Sequence, residues 1–147
     1  MFKVFAQTIS DAVSRAMAEF AGKWKLDKSD NFDNFLKELG INFMMRKMAG
    51  TASPTVEISR DGDSFTFKTI TSIKTSSVTF TLGQEFEEER LDGKKVKSVM
   101  TLDGNKLIQT QVDNGKEVKY VREFNGDVLT VTSTANGVVC VRVYKRL

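Results

Sequence analysis

The sequence predicts an all-β protein: a ten-stranded antiparallel up-and-down β-barrel with a pair of short helices inserted after its first strand. Three observations carry this. Asp-Gly or Asn-Gly pairs begin at positions 61, 92, 103, 114, 125 and 136, the last five at intervals of 11 residues. Such pairs supply the positive φ angles of tight hairpins. The segments between them are rich in Val, Thr, Phe, Ile and Tyr, as strands of an antiparallel meander are. A meander this long exposes two sheet edges unless it closes on itself, which favours a barrel over a two-sheet sandwich, whose Greek-key crossovers are not found here.

Taken in order, residues 20–26 alternate like a first strand. Phe32, Phe35, Leu36 and Leu39 follow at helical spacing, with Asp30 or Asn31 placed to cap and Gly40 to end the helix. A second helix is expected over residues 42–48, ending near Gly50. From Pro54, the only proline, nine strands run to the C-terminus. Pro54 takes the first position of its strand, where a missing N–H matters least. Within the stretch from 61 to 92, Ser72 and Leu82-Gly83 mark the two remaining turns.

The chain of 147 residues is one domain's length, with ordinary apolar (40%) and charged (28%) fractions. A net charge of +3 spread along the chain lacks the basic stripe of a nucleic-acid binder. With no histidine, the usual general base, Ser-His-Asp chemistry and almost every zinc site drop out. Cys140 stands alone, so no internal disulfide forms and a reducing compartment fits. No metal or cofactor is expected. Residues 1–16 carry a helical apolar stripe (Phe2, Phe5, Ala6, Ile9, Ala12, Val13, Ala16) but no secretory core. An appended amphipathic helix accounts for them better than a mitochondrial presequence, which would be richer in arginine and free of acid.

Eight-stranded barrels are just filled by their own side chains or hold one small ligand, so ten strands leave space. Thr71, Thr79, Thr81, Gln109, Thr130, Thr132 and Ser133 put polar groups on both alternation phases, and a mixed lining suits an amphiphile. Val118, Tyr120, Arg122 and Phe124 share one strand face, which turns Arg122 inward. A buried guanidinium requires a partner, either an internal Glu or Asp or a carboxylate or phosphate of a ligand. No acidic residue obviously shares that face nearby, which favours the ligand. On the last strand Arg142 and Tyr144 share one face and Val139, Val141 and Val143 the other, and periodicity alone does not say which face is inward.

These residues resemble the intracellular fatty-acid-binding proteins of the lipocalin-like superfamily. Gly22, Trp24 and Leu26, then Asn31, Phe32, Asp33, Phe35 and Leu36, look like the family's N-terminal signature. The segments 43–50, 82–86 and 91–98 resemble family segments as well, and Met17 falls where the family's usual initiator lies. The resemblance covers residues 17–147. It implies a ten-stranded clam-like barrel domain over 17–147 with a helix-turn-helix lid and one long-chain fatty acid inside. It further implies that Arg122, Arg142 and Tyr144 hold the carboxylate, with Arg142 and Tyr144 facing inward. The 20-residue interval between the two arginines agrees with the heart, adipocyte and myelin branch.

At the portal, Phe32 lies on the lid, and Ile73, followed by Lys74, stands where the family has a gating phenylalanine. Lys37, Arg46 and Lys47 match basic lid residues that meet anionic membranes and, in some members, direct nuclear import. The resemblance therefore implies a non-enzymatic carrier in the cytoplasm, with the nucleus as a second compartment. A monomer is the family default, and no nucleic acid is expected. Retinoic acid or another carboxylate-bearing lipid is the alternative cargo. Residues 1–16 have no counterpart in the family and are expected to cover the valine patch or touch membrane.

Overall fold

The computed structural model describes residues 14–147, so the expectations for residues 1–13 lie outside it. Residues 14–20 are helical (α1), followed by β1 (Gly22–Asp30), α2 (Phe32–Glu38), α3 (Phe43–Thr51) and β2 (Thr55–Asp61). The chain then meanders through β3 (Ser64–Ile70), β4 (Thr75–Thr81), β5 (Phe86–Glu89), β6 (Lys95–Asp103) and β7 (Lys106–Asp113). It closes with β8 (Lys116–Asn125), β9 (Val128–Ala135) and β10 (Val138–Arg146). All pairings are antiparallel, in the order β4-β3-β2-β1-β10-β9-β8-β7-β6-β5. The first strand thus pairs with the last, as a barrel requires.

The ring of backbone hydrogen bonds is not complete. β4 and β5 form the two ends of the sheet and do not pair with each other. Side chains bridge the gap instead: Phe80 and Phe86 stack with centroids 5.3 Å apart. The expectation that closure removes both edges is corrected to a nearly closed barrel with an aromatic seam.

The first strand begins two residues later than the alternation indicates, because Phe20 belongs to α1. Helix α1 ends over the base of the barrel. Phe20 stacks on Phe124 at 4.0 Å, and Trp24 meets the same ring edge-on at 5.5 Å. The Trp24 indole N–H donates to the Phe20 carbonyl at 3.1 Å, fastening helix to strand. Arg146 from β10 donates to the carbonyls of Glu19 and Ala21 and stacks on the Trp24 ring at 4.2 Å. Gly22 sits at φ 135, which favours glycine, and a Cβ there would come within 2.6 Å of the Arg146 guanidinium and displace it. Met17, Phe65, Met100, Leu107 and Leu129 complete the apolar plug.

The hairpins use two turn geometries. At Asn114-Gly115 and Asn136-Gly137 both central residues have positive φ. At Gly62, Gly104 and Gly126 only the glycine does, and the preceding Asp61, Asp103 and Asn125 are the last residues of their strands. The even 11-residue interval therefore hides different geometries: glycine is the second turn residue at 115 and 137 and the first at 104 and 126, while Gly93 closes a longer turn through its N–H to the Arg90 carbonyl.

At the lid end, Asn31 takes the N-cap position of α2 in the left-handed region (φ 64), and its side chain donates to the Val139 carbonyl. Phe35 and Leu36 turn inward onto β9 and β10. Helix α3 ends at Thr51, one residue past Gly50, and the Asn42 side chain caps it by accepting the Met45 N–H at 2.9 Å. Pro54 lies just before β2, its carbonyl accepting from the Leu26 N–H.

Candidate functional site

Between the aromatic plug and the helix pair lies a cavity of about 510 Å³, lined mainly by apolar side chains from the lid and by a polar band from β5 to β10. That is the size of a small-molecule pocket. The cross-strand register builds the polar band. Arg122 on β8 and Arg142 on β10 both pair with Val131 on β9, so the two guanidinium groups belong to one row on one face. Tyr144, two residues from Arg142, shares that face.

Arg142 and Tyr144 are each 8% exposed, whereas Val139 is 44% exposed on the outer surface. The last strand is thereby settled: arginine and tyrosine face in, valines face out. Arg142 donates to the Ser29 hydroxyl at 3.1 Å and stacks under the Phe32 ring at 3.8 Å, so β1 and the lid helix α2 fix its plane. Among the described residues no carboxylate lies within ion-pair distance of Arg142.

Arg122 is differently placed, and one expectation is corrected here. An acidic residue does share its interior: Glu88 on β5 faces the cavity opposite Val96. Residues 87–89 are three consecutive glutamates, so alternation assigns acid to both faces and leaves the inward member unmarked. Gln109 links the two charges. Its side chain accepts from Arg122 at 2.9 Å and donates to Glu88 at 2.7 Å and to Ser98 at 3.1 Å. Arg122 also lies 5.4 Å from the Phe67 ring centroid and 5.7 Å from that of Tyr120.

The electrostatics follow from burial. Desolvation pushes the Glu88 carboxyl above its ordinary value, while Arg122 and the hydrogen bonds from Ser98 and Gln109 pull it back. Burial lowers Arg122, and Glu88 opposes that shift. Tyr120 is pushed up to about 12, first by burial and then by the Glu88 carboxylate, so its hydroxyl stays protonated. Arg122, Arg142 and Tyr144, expected to face inward, line the cavity, whereas Glu88, Gln111 and the pairing of Ser29 with Arg142 were not foreseen from the sequence. The interval of two between Gln109 and Gln111 on a strand with apolar neighbours was the available signal.

The lid residues divide. Phe32 lines the cavity against Arg142, and Ile73 (63% exposed) and Lys74 stand at the rim. Lys37 and Lys47 are exposed, but Arg46 is not a free surface cation. It pairs with Asp33 at 3.0 Å and donates to the Ile41 carbonyl at 2.7 Å, tying α3 to α2 and the loop between them. Phe43 and Met44 on α3 point outward, 61% and 72% exposed, with the Lys47 ammonium 5.3 Å from the Phe43 ring centroid. No described helix is long and apolar enough to cross a membrane, and no group of three acidic or cysteine side chains among the described residues could hold a metal.

Known proteins share both sequence and shape. The family model described as lipocalin / cytosolic fatty-acid binding protein family matches residues 21–147. A protein of Tyrophagus putrescentiae named fatty acid-binding protein is 56% identical over 131 residues, covering 88% of this chain and 99% of its own. Cellular retinoic acid-binding protein 2 of Mus musculus is 42% identical, covering 88% of this chain and 99% of its own. A solved Schistosoma mansoni fatty acid binding protein in complex with arachidonic acid is 43% identical and superposes with a TM-score of 0.86, covering 90% of this chain and 98% of its own.

Proposed function

Since the chain belongs to the lipocalin / cytosolic fatty-acid binding protein family, we propose that it binds long-chain fatty acids reversibly inside the barrel and carries them without catalysing their conversion. The observation that carries this reading is Arg142: a residue 8% exposed, facing a largely apolar cavity of about 510 Å³, with its plane fixed and no carboxylate among the described residues within ion-pair distance. A buried cation of this kind calls for an anion, and a planar guanidinium is matched by a carboxylate. The Tyr144 hydroxyl, on the same face, supplies a second donor. Arg122 is already partly compensated by Glu88 through Gln109, so it attracts the carboxylate more weakly, directly or through water. The acyl chain lies against Phe35, Leu36, Met45 and Ile73.

Replacing Arg142 by Gln removes a charge-assisted hydrogen-bond pair, and a loss of about 1.5–3 kcal/mol corresponds to roughly 10- to 150-fold weaker oleate binding. Native mass spectrometry of the purified protein reads this directly. Bound species in the fatty-acid mass range, stripped by delipidation and restored by oleate, are expected for the native chain and depleted in Arg142→Gln. Equal occupancy in the variant would remove the assignment.

Retinoic acid shares the carboxylate and has a named relative among similar proteins. Preferential retention of retinoic acid over oleate in competition would transfer the function to that ligand. Delivery through contact with anionic membranes is supported by Phe43, Met44 and Met48 exposed beside Lys47 on one helix. Phe43→Ser is expected to slow oleate transfer to anionic vesicles in a fluorescence assay while leaving the Arg142 site untouched. A monomer working in the cytoplasm completes this reading, and residues 1–16 precede the barrel domain.

A further inference from the structure

The cavity contains a second polar cluster that a plain fatty acid does not use. Gln109 is fully engaged by Arg122, Glu88 and Ser98. Gln111, two residues along β7 on the same face, is not. Its amide N–H donates to Glu88 Oε1 at 3.3 Å, while its carbonyl oxygen has no hydrogen-bond partner among the described residues. The residue is only 2% exposed and lines the cavity. An unmet buried carbonyl is costly; this oxygen is itself covered, so a ligand donor gains by arriving once the side chain turns it toward the cavity that the residue lines.

We propose that Glu88 and Gln111 form a subsite for a hydroxyl group carried along the chain of a long-chain fatty acid whose carboxylate rests at Arg142 and Tyr144. The proposal rests on the fatty-acid reading above and specifies its ligand. The chemistry selects the group. Gln111 Oε1 and the Glu88 oxygens accept hydrogen bonds, so a keto oxygen would set acceptor against acceptor, and a second carboxylate would also meet the Glu88 charge. A hydroxyl donates.

The register selects the position along the chain. Arg142 and Leu107 belong to one row, three inter-strand steps apart, and Gln111 lies four residues beyond Leu107 on β7. That is roughly 14 Å across the wall and roughly 13 Å along it. A hydroxyl next to the carboxyl does not reach; one in the middle or outer part of the chain does.

The test compares stearate, 2-hydroxystearate and 12-hydroxystearate by titration calorimetry against the full-length native chain and Gln111→Met, a substitution of similar length. In the native chain 12-hydroxystearate is expected to bind tighter than 2-hydroxystearate, an isomer of equal polarity. The ratio of 12-hydroxystearate to stearate affinity is expected to fall about three- to tenfold in Gln111→Met, the equivalent of one hydrogen bond. Should Gln111→Met fail to fold, the isomer comparison in the native chain decides alone. If stearate binds while the two isomers bind equally, the polar cluster is served by water and the subsite is overturned. If stearate itself does not bind, the fatty-acid reading falls and the subsite with it.

Discussion

Arg122 and Glu88 show how far a single residue's role follows from pattern. Alternation on β8 is strict, so the inward cation was readable. Its counter-charge sits in an acidic run on the short strand β5 and becomes visible only through pairing with β6. A buried carboxyl whose proton affinity is raised has a definite effect on stability. Below the ordinary carboxylate value of 4.5 Glu88 is protonated in both folded and unfolded chains, and the fold suffers no charge-burial penalty. As pH rises from there through the elevated folded value, the unfolded chain ionises first and stability contributed by this group is lost. Glu88→Gln is therefore expected to flatten that decline, measured as urea-unfolding free energy between pH 4 and pH 7. An unchanged slope would mean that Arg122 fully offsets the burial. For Arg142 the physical information came from across the barrel: Ser29 on β1 and Phe32 on α2 are more than a hundred residues away in sequence, beyond the reach of any local pattern.

Among the elements, the strands were legible because turn glycines punctuate them, and the helix pair because apolar spacing and Gly40 mark it. Boundaries slipped where one residue serves two elements. Phe20 alternates correctly with Trp24 yet ends α1, because its ring is needed at the barrel base against Phe124 and Phe65. Truncating it leaves a void among fully buried rings, and Phe20→Ala is expected to destabilise by about 3–5 kcal/mol in thermal or urea unfolding. A loss under 1 kcal/mol would mean that the helix merely rests on the barrel. The turn geometry was half legible: Asn-Gly and Asp-Gly announce hairpins, but the place of glycine within the turn differs among them, as Gly93, Gly104 and Gly115 show.

At the scale of the whole molecule, sequence distinguishes a meander from a sandwich but does not reveal that the meander stops one pairing short. No residue type marks an absent hydrogen-bond ladder, and Phe80 and Phe86 look like ordinary strand aromatics. The consequence is uneven protection. Outward amides of β4 and β5 lack a partner strand, whereas β8 and β9 are paired on both sides. Hydrogen exchange is expected to be faster on the first pair than on the second; uniform protection around the ring would contradict the seam. The seam also changes what it takes to accommodate a bulky guest. In a fully laddered barrel, girth is fixed by strand number and stagger, and swelling breaks backbone hydrogen bonds by the row. Here the circumference has an expansion joint: parting β4 from β5 sacrifices one ring stack worth about 0.5–1.5 kcal/mol and leaves every ladder intact. A barrel jointed in this way can vary its girth with its cargo while its guanidinium row, on the opposite side of the sheet, holds its spacing.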